Sequence, residues 1–196
     1  MVQYINDGLT SVNMYYVVKY TGKFGFVKPW TAVRDGLTYS QQFLSPSTLE
    51  GIEKKLFPET LAHNGIISKI KRYRLSYSSI DVQQEQTQTR GFNSKKKIRE
   101  RAVLKRGIMI DPILYLAFEE YDDALKASKQ HLCLCRNEDL LLPDSIIEEM
   151  DEDSFNSIKG FEMRFGKSEQ SFMVGYNRFD NTPMYGWLEI DGQSIL

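Results

Sequence analysis

The chain has 196 residues, 41% hydrophobic and 26% charged, with a formal net charge of −1. That length suits one domain with a sizeable core, and the composition is that of an ordinary soluble protein. No apolar run approaches the ~20 residues of a membrane span, and the N-terminus lacks the basic-then-apolar pattern of a signal peptide, so the expected location is the cytoplasm.

Residues 1–13 are polar and aperiodic and read as an extension, leaving residues 14–196 as a single domain. Met14 to Tyr20 (MYYVVKY) is rich in β-branched and aromatic residues and predicts the first strand. The following stretch, TGKFGFVKPWTAVRDGLTYSQQ, holds three glycines and a proline and predicts a long loop. It carries Lys23, Lys28 and Arg34 among Phe24, Phe26 and Trp30, a mixture that suits phosphate contact with base stacking. Each aromatic taken alone is an ordinary core anchor.

Ser45 followed by Pro46 suits a helix start with proline at its first position. Ser47 with Glu50 offers a competing capping box two residues downstream. Leu49, Ile52, Leu56 and Phe57 recur at helical spacing, and Pro58 marks the end. The free N–H groups of the first turn, with the hydroxyls of Ser45 and Ser47, form a candidate phosphate seat; capping alone also explains those serines. Ile66 to Ser76 predicts a strand with Tyr73 and Leu75 on one side and Arg72 and Arg74 on the other as a basic face.

The positive charge is concentrated in residues 86–107, QTQTRGFNSKKKIRERAVLKRG. Its eight cations are Arg90, Lys95, Lys96, Lys97, Arg99, Arg101, Lys105 and Arg106. Against the lone Glu100 they leave the segment at +7, while the remainder of the chain, with 17 basic and 25 acidic side chains, stands at −8. Such a field attracts polyanions, and Gln86, Gln88, Phe92 and Asn93 are placed to touch sugars and bases. The bland reading of the same run is a solvated charged loop. Residues 81–106 show no apolar pattern able to bury a face, so they predict an arm, a β-hairpin with its tip near Gly91 to Lys97.

Gly107 to Phe118 (GIMIDPILYLAF) predicts a buried strand with Pro112 at a bulge or edge. Glu119 to Gln130 has early acids and late lysines, as a helix dipole favours. His131 to Arg136 predicts a further strand, carrying Cys133 and Cys135 as two half-buried free thiols. Asp144 to Asp153 holds six acids and no base, a solvated face or one that meets a basic partner. Phe161 to Phe165, Gln170 to Tyr176 and Trp187 to Ile190 are short strand candidates. The order suits a split β-α-β-β-α-β unit, a ferredoxin-like sheet of the α+β class with helices on one face, although the RNP1 aromatic motif is absent.

Catalytic motifs are weak. Gly166-Lys167-Ser168 fails as a P-loop, because the first glycine is needed where Phe161 stands. His63 and His131 lie in no recognisable constellation. Asp122 with Asp123 and Glu119 with Glu120 are explained by first-turn helix charge rather than metal ligation. No cofactor or metal is expected.

The sequence resembles the Cas-five family, RAMP-type subunits of type I CRISPR surveillance complexes (Cascade). The resemblance rests on Thr38-Tyr39 followed by Pro46, Ser47 and Gly51 of a P-S-x-x-x-G helix start, and on the basic segment ending before an apolar strand. It rests also on Leu134, Arg136, Glu138 and Asp139 of LCLCRNEDLLLP, with Cys135 where the family commonly has glycine. It covers most of Met14 to Leu142. It implies a modified RNA-recognition-motif fold with a protruding basic β-hairpin thumb inserted at about 82–106 and extra C-terminal strands. It implies a non-catalytic subunit that caps the crRNA backbone and holds the 5′ handle of the guide. The implied partners are the Cas-seven backbone subunit and the Cas-eight large subunit, with target DNA met indirectly. One branch of the family cleaves precursor RNA by metal-free acid–base chemistry, which leaves a ribonuclease as the alternative and an unrelated RNA-binding domain as a further one. No histidine lies in the segments concerned, so binding is favoured over cleavage. The expected RNA-binding set is Lys23, Arg34, Ser45, Ser47, Arg72, Arg74, Arg90, Phe92, Lys95, Lys96, Lys97, Arg99, Arg101, Lys105 and Arg106.

Overall fold

The computed structural model describes residues 14–29, 36–63, 65–177 and 180–191; of 87–91, 99–102 and 191 it describes the backbone alone. The N-terminal extension, with Trp30 and Arg34, lies outside the described residues.

The chain runs β1 (Met14–Thr21), β2 (Phe24–Gly25), β3 (Leu37–Tyr39) and α1 (Pro46–Leu56), then β4 (Ile70–Ser76), β5 (Ser79–Asn93), β6 (Ile98–Ile110) and β7 (Ile113–Phe118). It continues through α2 (Tyr121–Ala127), β8 (Leu132–Cys133), β9 (Leu140–Asp151), α3 (Glu152–Asn156), β10 (Gly160–Phe165), β11 (Phe172–Tyr176) and β12 (Pro183–Asp191). The class is α+β and the pairing is mostly antiparallel. One sheet has the order β11-β12-β10-β4-β7-β1-β9-β8; a second centres on β6, flanked by β5 on one edge and by β2 and β3 on the other.

The large sheet is buried on both faces through its middle. On one side Val18, Tyr20, Tyr73, Leu75, Leu114, Leu116 and Phe118 pack against Leu49, Ile52 and Leu56 of α1 and Ala124 and Ala127 of α2. On the other, Tyr15, Val17 and Ala117 close around Phe155 of the short α3. Glu53, one-hundredth exposed, ties α1 to the start of β4 by accepting from the backbone N–H of Ser68, Lys69 and Ile70. Such multiple backbone donors are what allow a carboxylate to be buried.

The helix start resolves in favour of Ser45. Its Oγ accepts from Thr48 N at 3.3 Å, and Pro46 occupies the first turn, where its missing N–H costs nothing. Ser47 does not cap the backbone. Ser45→Ala is therefore expected to lower stability by about 1 kcal/mol and Ser47→Ala by much less. Urea unfolding of the two variants checks this, and equal losses would contradict the assigned cap.

Three expectations need correction. Gly107 to Phe118 is two strands rather than one. Asp111 adopts φ 46°, its N–H donates to Lys23 O at 2.9 Å, and Pro112 has no N–H for a ladder, so the chain turns from the small sheet into the large one. The glycine-rich loop is not wholly irregular, since β2 and β3 add to the edge of β6. Of His131 to Arg136 only Leu132–Cys133 is strand, because the buried carboxylate of Asp139 folds the next residues into a tight loop by accepting from Arg136 N at 2.9 Å. Cys133 is half-buried as expected, but Cys135 is exposed.

Candidate nucleic-acid interface

β5 and β6 pair antiparallel from Ser79↔Ile110 to Asn93↔Ile98, with a register shift between Gln88 and Phe92, and residues 94–97 join them. Side chains opposite each other share a face, so the ladder sorts its residues into two sets.

The inner set is structural. Arg136 donates from Nε and Nη2 to Asp139, and from Nη1 to Gln83 Oε1 at 3.0 Å and to Glu85 Oε1. Hydrogen bonds with Asp139, followed by those with Glu85, hold its guanidinium above its ordinary pKa despite burial. Glu85 also pairs with Arg106 Nε at 3.6 Å, and both guanidinium groups lie over the ring of Phe26, at 5.5 and 5.6 Å. This cluster clamps the root of the β5–β6 pair to the β8–β9 loop. Phe26 is buried and is no stacking platform for a base. Arg106, read as an RNA contact, is half-buried and spent largely on Glu85.

The outer set differs in character. It comprises Val82, Gln84 and Gln86 from β5, Val103, Lys105 and Gly107 from β6, and Leu37 and Tyr39 from β3. β3 is fixed by Lys105 N donating to Gly36 O at 2.6 Å and Ser40 N donating to Gly107 O at 2.7 Å. Val82, Val103, Leu37, Tyr39, Gln84, Gln86 and Lys105 are all exposed. The acids of the two strands whose side chains are described, Asp81 and Glu85, belong to the inner set, and none of these stands on the outer one.

At the tip, Lys95, Lys96 and Lys97 are exposed, and Phe92 beside them is 62% exposed. Asn93 Oδ1 accepts from Lys96 N at 3.1 Å and shapes the turn, with Lys97 at φ 53°. The side chains of Arg90, Arg99 and Arg101 lie outside the described residues, although their backbones belong to β5 and β6. Lys23 is exposed in the turn between β1 and β2.

Arg72 and Arg74 do not form a basic face. They are 3% and 2% exposed and sit on the α3 side of the large sheet. Arg72 makes a two-pronged bond to Glu162, with Nε–Oε1 and Nη2–Oε2 both at 2.8 Å. It also reaches Glu152 at 2.9 Å and Asn156 Oδ1 at 2.9 Å, and lies over the Phe155 ring. Burial is the strongest influence and opposes its charge, but the bonds to Glu162 together with the nearby carboxylates of Glu189 and Glu152 outweigh it and raise its pKa. Arg74 lies 3.7 Å from Glu162 and 3.4 Å from Glu189, and its Nε and Nη1 have no hydrogen-bond partner among the described residues. Alternation correctly separated these arginines from Tyr73 and Leu75. What it does not reveal is that β10, β12 and α3 cover that face with three glutamates. The candidate phosphate seat fares no better at Ser45, which is buried and occupied with capping and with the hydroxyls of Ser47 and Thr48 at 3.1 and 2.9 Å. Ser47 is exposed.

No cluster of three metal-ligating side chains occurs among the described residues, and no helix among them is long and apolar enough to cross a membrane. Among the described acids of Asp144 to Asp153, Asp151 caps α3 and Glu152 serves Arg72, while Asp144, Glu148 and Glu149 face solvent. No family model matches the chain, and no curated protein matches it.

Proposed function

We propose that the protein is a non-catalytic, guide-RNA-binding subunit of a type I CRISPR surveillance complex, and that its β5–β6 pair is the thumb. One observation carries the reading furthest. In a chain of net charge −1, an antiparallel pair extends beyond the sheet core with three exposed lysines at its tip and an outer face free of acids among the described residues. That arrangement favours a flexible polyanion over a folded acidic partner, because charge and stacking surface are both offered along a line.

Two further points support it. The strand order β4-β7-β1-β9, with α1 and α2 packed on one side, is the order that a ferredoxin-like split β-α-β-β-α-β unit produces, here extended by β10, β11 and β12. Two stretches behind the family resemblance also converge on the root of the pair: Thr38-Tyr39 lies alongside β6, and Arg136 with Asp139 clamps Glu85. On this reading the thumb and the glycine-rich loop hold the 5′ handle of the crRNA. The subunit caps the backbone against the Cas-seven subunit, beside the Cas-eight large subunit, and meets target DNA indirectly. It acts in the cytoplasm without a cofactor.

The test is incubation of the purified chain with single-stranded repeat RNA in EDTA, followed by native and denaturing gels. Retention of intact RNA is expected. A discrete cut would favour the metal-independent ribonuclease, and absence of retention at low salt would overturn RNA binding altogether.

A further inference from the structure

A Cβ built on Gly107 would lie 2.7 Å from Cε1 and 2.9 Å from Cγ of Tyr39, closer than any real contact, so the ring rests directly on the sheet where glycine leaves room. Tyr39 is nevertheless 53% exposed, so the ring meets backbone on one side and solvent on the other. Its position is held by β3, which runs parallel to β6 in the register Leu37↔Lys105, Thr38↔Arg106, Tyr39↔Gly107. Thr38, on the opposite face, is buried. An aromatic ring seated on glycine and fixed by backbone pairing loses little entropy on meeting a second flat ring.

The surroundings specify what that second ring belongs to. In the outer set the β3–β6–β5 register adds exposed Leu37 and Val82, the amides of Gln84 and Gln86, and the ammonium of Lys105, with no acid among the described residues. A protein interface core of this size would be richer in large apolar groups and closed around its aromatic. A stacking ring flanked by amides and one cation suits a nucleobase, with hydrogen-bonding edges and a neighbouring phosphate. The phenol Oη is present but not required for this role, since stacking uses the ring.

From this geometry we infer that Tyr39, seated on Gly107, is a stacking platform for one base of single-stranded RNA, with Lys105 at the adjoining phosphate and Gln84 beside the base edge. This rests on the RNA-binding reading above and adds to it. The tip lysines supply a charge-driven hold that does not discriminate bases, whereas the platform supplies a contact that salt leaves unchanged and that favours large rings over small ones. The base is thereby fixed at the root of the projecting pair rather than at its tip.

The experiment compares oligoadenylate with oligouridylate of equal length, so that phosphate charge is identical, for the full chain and its Tyr39 variants across a salt series. Wild type is expected to prefer oligoadenylate, because purines stack more strongly. Tyr39→Ala is expected to weaken oligoadenylate binding by about 5- to 100-fold, erase the preference and leave the salt slope unchanged. Tyr39→Phe keeps the ring and is expected to behave as wild type. Gly107→Ala keeps the tyrosine but forces its ring off the sheet, so it is expected to reproduce Tyr39→Ala; thermal melting identifies any variant that has unfolded, and Tyr39→Phe carries the comparison in that case. Salt-dependent binding by wild type with no change in Tyr39→Ala would overturn the platform while leaving RNA binding intact. Loss of self-association in Tyr39→Ala, with RNA affinity unaltered, would overturn it in favour of a protein contact. No binding of either oligonucleotide by wild type would overturn both this inference and the reading beneath it.

Discussion

Glu162→Ala is expected to lower the unfolding free energy by about 3–5 kcal/mol, the usual cost of stripping one partner from a buried ion pair. Glu162 is 2% exposed and accepts both prongs of Arg72 at 2.8 Å and the N–H of Tyr73 at 3.3 Å, and the Arg74 guanidinium stands 3.7 Å away as an ion pair without a hydrogen bond. Its removal leaves two buried guanidinium groups with the half-buried Glu152, which reaches Arg72 alone of the two, and the half-buried Glu189, which already serves Arg164 and Trp187 Nε1. Removing both charges is a different experiment. In Arg72→Met with Glu162→Met, Arg74 and Arg164 remain balanced by Glu152 and Glu189, and apolar groups fill the space beside Phe155. The double variant is therefore expected to be more stable than Glu162→Ala by at least 2 kcal/mol, roughly the margin a buried pair loses to its apolar replacement. Urea denaturation of both variants measures this. A cost below about 1 kcal/mol for Glu162→Ala would mean that solvent reaches the cluster and that the arginines do not depend on it.

How much of this was legible in the sequence depended on what covers each strand. β1 and the α1 apolar stripe were legible because one residue type repeats at one period against one core: Leu49, Ile52 and Leu56 could only be a buried face. The β5–β6 ladder was legible by default. Gln83 to Gln86 offers no apolar alternation because its inner residues, Gln83 and Glu85, are spent on the polar clamp rather than on an apolar core, and that absence led to the expectation of an arm. Arg72 and Arg74 were misread for the opposite reason. Alternation fixes which side a residue faces but not what lies on that side, and their partners Glu162 and Glu189 arrive 90 and 115 residues later. The clamp role of Arg106 and Arg136, one read as an RNA contact and the other as part of the family resemblance, was hidden likewise, since only the folded root brings them to Glu85 and Phe26. Tyr39 could have been found from its place in a Thr-Tyr pair, yet its seat on Gly107 depends on a parallel register that no local pattern encodes.

Changing Lys95, Lys96 and Lys97 together to alanine is expected to leave melting nearly unchanged and to flatten the salt dependence of RNA binding. The three are exposed in the turn that joins β5 to β6, and the clamp that holds the pair lies at its root, in Glu85, Arg106, Arg136 and Phe26. No core packing depends on the tip. For single strands each phosphate no longer neutralised removes about 0.7 from the slope of log K against log salt, so the slope of the triple variant should fall by roughly 2 if all three lysines engage. The affinity deficit should be widest in dilute salt and close as salt rises, because the lysines act through counterion release rather than a fitted surface. That behaviour contrasts with the clamp: Arg136→Ala deprives Glu85 of its hydrogen-bonded partner and should reduce melting temperature as well as binding. The measurement is RNA affinity across a salt series with wild type and the triple variant side by side. An unchanged slope would assign the lysines to solvent alone, and polyanion binding would then rest on Lys105 and the outer face of the sheet.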